Sequence, residues 1–193
     1  MTTRTVFLVA GVLSAFTTYG QGTLQFSTHV LNSVDARVVH TGRSPINHEA
    51  GPVGSLYLGQ LYAGPVAAPP HLLQPIGTPT PFRDSPDAAR GYIIDGEVVV
   101  PGVPAGEWAL VKLVAWQVSL GSSYLEVMQG PWPGDRGESG IITVRTGGGA
   151  AGPAGILTGL QGFTLSWIPE PSPGLLFVFG GLGLLVRQRR QSP

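Results

Sequence analysis

The 193-residue chain has no cysteine, and this excludes more than most of what the sequence contains. Without a thiol there is no disulfide framework, no cysteine nucleophile and no thiolate metal site. Charge is scarce as well, with Asp, Glu, Lys and Arg at 11% and a formal net charge of zero. Four of the arginines (Arg4, Arg187, Arg189 and Arg190) lie in the two end segments. Residues 23–168 hold seven basic and ten acidic side chains, a net charge of −3, spread along the chain. Nucleic-acid binding calls for a basic patch, so that class of partner is not expected. No internal repeat is visible.

Motifs for chemistry are also lacking. The four histidines are His29, His40, His48 and His71, and none forms an H-x-H or H-E-x-x-H pattern. Such patterns place two ligands on one face, so no metal site is expected. His48-Glu49, beside Asn47, reads as solvated loop. Gly137-Glu138-Ser139-Gly140 has no histidine–aspartate context and is not a G-x-S-x-G elbow. Asp84, Asp87, Asp95, Glu97, Asp135 and Glu138 supply carboxylates without a spacing that points to paired acid–base work. Asp84-Ser85-Pro86-Asp87 lacks the alternating oxygens and glycine of an EF-hand loop. The expectation is a non-enzyme without a cofactor.

Glycine (29) and proline (18) are plentiful. They interrupt the chain every few positions and leave little room for long helices. The apolar segments between them are strong, so the fold class expected for residues 23–168 is all-β. The expected architecture is one β-sandwich, with a jelly roll as a version of it. Close to 145 residues make one ordinary domain, able to bury roughly two thirds of its unfolded surface.

Strands are expected at 23–26, 34–39, 55–63, 91–100, 108–118, 141–145 and 163–167. The segment 91–100 reads as one bulged strand or as a hairpin at Asp95-Gly96. Residues 108–118, WALVKLVAWQV, make the best strand. Trp108, Leu110, Lys112, Val114, Trp116 and Val118 alternate with Ala109, Val111, Leu113, Ala115 and Gln117. Both faces are largely apolar, which suits a central strand covered on both sides. Trp108 and Trp116 are both expected in the core. Residues 64–81, with six prolines, and 130–140 read as loops, 121–128 as ambiguous with a short helix as one option, and 147–155 as mobile. Trp132, between Pro131 and Pro133, is the candidate aromatic platform for stacking a sugar ring.

The two ends carry the clearest signals. Residues 1–22 have the layout of a secretory signal peptide. Arg4 forms a basic start, residues 6–16 are apolar, and Gly20 and Gly22 are small residues near the cleavage region. At the other end stand Pro169-Glu170-Pro171, an uncharged run over 172–186, and Arg187, Arg189 and Arg190 within 187–193. Ser172 suits an N-cap and Pro173 a first helical position. The apolar stretch 174–186 spans roughly 20 Å as a helix, against a hydrocarbon core of about 30 Å. Snorkelling arginines extend its reach and favour a cytoplasmic C-terminus. A membrane helix over 172–186 with a basic cytoplasmic tail is expected.

This tripartite segment, 169–193, resembles the PEP-CTERM sorting signal of Gram-negative bacteria. The resemblance covers about an eighth of the chain. It implies recognition by an exosortase, a membrane-embedded cysteine protease or transpeptidase that processes its substrate near the triplet. Pro169, Glu170 and Pro171 would then be the sorting motif, and Arg187, Arg189 and Arg190 the basic stop. It also implies passage through the inner membrane to the cell surface or an extracellular matrix. The leading expectation is therefore an exported, non-enzymatic surface or matrix protein. A secreted carbohydrate-binding module with extracellular polysaccharide as partner, a permanently anchored single-pass membrane protein and a secreted hydrolase are the alternatives.

Overall fold

The computed structural model describes residues 20–42, 49–130 and 133–168. Residues 1–19 of the expected signal peptide, Trp132, the Pro169–Pro171 motif, the membrane helix and the terminal arginines lie outside these residues, while Gln21 and Gly22 at the end of the expected signal peptide belong to the first strand. Among the described residues, no helix is long and apolar enough to cross a membrane.

The chain is mostly β. Its strands are β1 (Gln21–Ser27), β2 (His29–Val30), β3 (Val34–Asp35), β4 (Val39–His40), β5 (Gly51–Pro52), β6 (Tyr57–Pro65), β7 (Gln74–Pro81), β8 (Ile94–Pro104), β9 (Trp108–Gln117), β10 (Gly134–Glu138), β11 (Ile142–Arg145) and β12 (Thr164–Ile168). One α-helix, α1 (Tyr124–Gln129), follows β9. The large sheet runs β5-β4-β12-β10-β9-β6-β7. β11 pairs with the first half of β9, on residues 108–111, and β10 with the second half, on 114–116. β1 and β8 form a separate antiparallel ribbon, and β2 pairs with β3.

The alternation in β9 partitions as its sequence indicates. Ala109, Val111, Leu113 and Ala115 enter the main core together with Leu24 and Phe26 of β1 and Val98 and Val100 of β8. Val114 and Trp116 face the other way, against Leu120, Tyr124 and Val127 around α1. The central strand is therefore covered on both sides where Val114 and Trp116 stand. α1 is started by Ser123, whose hydroxyl accepts the Glu126 N–H, while the Glu126 carboxylate reaches back to the Ser122 N–H. This is close to a capping box.

Four expectations are corrected. Trp108 is not in the core: it is 55% exposed, because α1 covers only the Trp116 end of that face. The proline-rich stretch contains β7, and its prolines are tolerated because β7 is an edge strand with one unpaired side. Opposite the register shift between Gly59 and Leu61, Gly77 takes φ 64°, and its carbonyl accepts the Gln60 side-chain amide at 3.0 Å. The 130–140 loop contains β10, held on both edges by β9 and β12. The glycine-rich segment 147–155 is packed against β1. Gly147 exchanges two backbone hydrogen bonds with Thr23, and Gly155 bonds both Thr23 and Gln25. A Cβ on Gly147 would stand 1.6 Å from the Pro153 carbonyl oxygen, so glycine is required there. Of the two options for 91–100, the single strand is observed, with a register shift opposite it in β1.

Candidate functional site

Two constellations stand at opposite ends of β9. At its start, a groove of about 740 Å³ opens beside Trp108. One wall is Pro65 and Val66, where β6 leaves the sheet, and another is Gly102, Val103 and Pro104 at the end of β8. Gly102 takes φ 74°, a left-handed conformation that glycine adopts without strain. Glu107, Trp108 and Thr143 complete the lining. Arg145 is directly opposite Trp108 in the β9–β11 ladder, so the two side chains leave the same face. Its Nε donates to the Gly106 carbonyl at 2.8 Å, which fixes the guanidinium near the groove. Among the described residues, neither Glu107 nor Arg145 takes part in an ion pair. The site thus offers apolar rings, one carboxylate, one hydroxyl and one guanidinium.

At the far end lies a buried polar cluster. Asp135 is fully buried on β10, and its Oδ2 accepts the Tyr57 hydroxyl at 2.7 Å. The His40 ring stacks on Tyr57 with centroids 5.7 Å apart and an interplanar angle of 15°. His40 Nδ1 accepts the Gly42 N–H at 3.1 Å, which assigns the proton of the neutral ring to Nε2. Burial holds the His40 pKa below its ordinary value; nearby Asp135 opposes this shift and Arg90 adds to it. Asp135 Oδ1 and Trp167 Nε1 are both buried without a hydrogen-bond partner. They belong to directly opposed residues of the β10–β12 ladder. The Tyr57–Asp135 bond ties β6 to β10, the strand against which β12 pairs.

The remaining sequence candidates separate. Ser139 Oγ accepts the Leu113 N–H and donates to the Gly140 carbonyl, which occupies it in backbone closure. The Ser55 hydroxyl and then the Ser55 N–H, the latter at 2.9 Å, hydrogen-bond to Asp84 and hold its carboxyl below the usual range. Glu138 pairs with Lys112 at 2.7 Å, and Asp95 accepts the Thr80 hydroxyl. Among the described residues, no three metal-ligating side chains converge. His48 and Trp132 lie outside the described residues.

Comparison with known proteins yields no matching family model, no matching curated protein and no matching solved structure. The functional argument therefore stands on the chain's own residues. Sequence reasoning missed Trp108 as an exposed aromatic, since its alternation is identical to that of Trp116. It also missed the union of His40, Tyr57 and Asp135, which are distant along the chain.

Proposed function

We propose that the chain is an exported, non-enzymatic protein of the cell surface or extracellular matrix. Its C-terminal segment 169–193 would be the sorting signal, read by an exosortase-type membrane protease or transpeptidase. The observation that carries this reading is the order of Pro169-Glu170-Pro171, the uncharged run 172–186, and Arg187, Arg189 and Arg190. The apolar N-terminal stretch 6–16 behind Arg4 supports it, because a membrane-sorting tail is of use on an exported chain. The domain is read as a β-sandwich in which the β1–β8 ribbon is the second layer. The main core between that ribbon and the large sheet supports this, and the jelly-roll version rests on the sequence pattern alone.

The position of β12 also fits the proposal. It ends at Ile168, immediately before the triplet, and its neighbour β10 is tied to Tyr57 through Asp135. A processing enzyme would therefore work next to an anchored strand. Intact mass and C-terminal peptide mapping of protein from native cells test the reading. The expected product ends near Pro169–Pro171. A mature pool that still carries Arg187, Arg189 and Arg190 would sink the processing claim and favour a permanent single-pass anchor.

A further inference from the structure

We propose that the groove beside Trp108 is a binding site for a neutral polysaccharide chain. This goes beyond the sorting proposal and does not depend on the fate of the tail.

Trp108 carries the argument. A tryptophan is largely buried on average, yet this one is 55% exposed on a face whose other tryptophan, Trp116, is 0% exposed. The indole presents a flat apolar surface, and Pro65 and Pro104 set two more rings around the same groove. Stacked C–H faces of a pyranose match such surfaces, because the sugar has an apolar face and a polar equator. That equator needs donors and acceptors in its plane. Glu107 supplies an acceptor, Thr143 a hydroxyl and Arg145 a donor fork.

The charges select the ligand class. One carboxylate and one guanidinium flank the groove, and neither is taken up by an ion pair among the described residues. They balance each other, so the site does not favour a ligand of either charge. A lipid surface would leave both charges desolvated, which is costly. A neutral hydroxylated polymer uses both. The groove is open and is built by strand ends and turns, as suits a chain that passes through.

Its placement also suits a presented site. β10 is antiparallel to β9 and β12 to β10, with Ile168 opposite Gly134, beyond the Trp116 end. Trp108 is at the other end of the ten-residue β9, about 30 Å away at roughly 3.3 Å per residue. A domain tethered through residues beyond Ile168 would hold the groove on its far side.

The test uses the full chain in a zwitterionic detergent, since sugar-based detergents would compete. Cello-, chito- and xylo-oligosaccharides and their parent polymers are the probes, read by titration calorimetry and affinity electrophoresis. Saturable binding to at least one is expected, with little change from low to high salt, as for a neutral ligand. Trp108→Ala should weaken it by at least about tenfold, as loss of a central aromatic does at other recognition sites. Circular dichroism and the thermal midpoint of W108A should match the parent, which separates lost binding from lost folding. Trp132→Ala should bind as the parent does. The proposal is overturned if no probe binds, if W108A binds as tightly as the parent, or if only W132A loses binding. Binding confined to proline-rich peptides, or occupation of the groove by a second copy of the chain, would overturn it as well. Because the purified chain needs no exosortase, failure here and failure of the processing claim are distinguishable.

Discussion

The Tyr57 hydroxyl donates to Asp135 Oδ2 at 2.7 Å, joining β6 to β10 across 78 positions of sequence. The carboxylate is fully buried and its other oxygen has no partner. A buried acceptor that loses its donor costs more than the bond itself contributes. Tyr57→Phe should therefore destabilise the domain by about 1–3 kcal/mol in urea unfolding. A loss within error would show that the Asp135 carboxylate finds another donor.

His40 should make stability depend on pH. Its folded-state pKa is lowered, chiefly by burial, so between that value and the ordinary one the unfolded chain binds the proton and the native chain does not. The stability contributed by the neutral ring is complete above about pH 6.5, the ordinary pKa, and is lost as pH falls from there toward the folded pKa. Urea midpoints measured from neutral to mildly acidic pH should fall for the parent and fall less for His40→Gln. Equal slopes in the two would rule out this assignment.

The two tryptophans of β9 should respond oppositely to truncation. Trp116 is fully buried and its Nε1 donates to the Gly121 carbonyl at 2.9 Å. Trp116→Ala should cost about 3–5 kcal/mol, while Trp108→Ala should stay within about 0.5 kcal/mol. Thermal or denaturant unfolding of both variants checks the contrast. A large loss in W108A would mean that Trp108 is held in the core.

Gly147 tests the packed state of the glycine-rich segment. Its Cβ would meet the Pro153 backbone, which no side-chain rotation relieves. Gly147→Ala should cost on the order of 1–3 kcal/mol, as overpacking does. Hydrogen exchange at the Thr23 and Gly147 amides should accelerate with it, because those two residues exchange both backbone hydrogen bonds. A neutral variant with unprotected amides would restore the mobile segment expected from composition.

Much of the fold is legible in local pattern. Alternation placed β9 at the centre and separated its two faces correctly, because side-chain period in a strand is set by the backbone itself. Ser123 and Glu126 stand at capping-box spacing, so α1 is legible in hindsight as well as in the structure. β7 and β10 were hidden because proline, glycine and charge are punished by propensity, whereas position in a sheet decides whether they are tolerated. The candidate site was hidden for a similar reason. Composition marked Trp132 for its Pro-Gly setting, while Trp108 looked like any alternating core residue.

The sequence by itself determined the absence of thiol chemistry, the shortage of charge, the β-rich composition and the residue order of the two end segments on which the sorting proposal rests. These follow from which groups are present and how near they lie along the chain. Tertiary structure alone decided that Trp108 is uncovered while Trp116 is covered, and that Asp135 meets Tyr57 and His40. It also decided that a glycine-rich segment packs against β1. Each of these depends on where distant segments end in space, which α1 settles at one end of β9 by covering Trp116 and stopping short of Trp108.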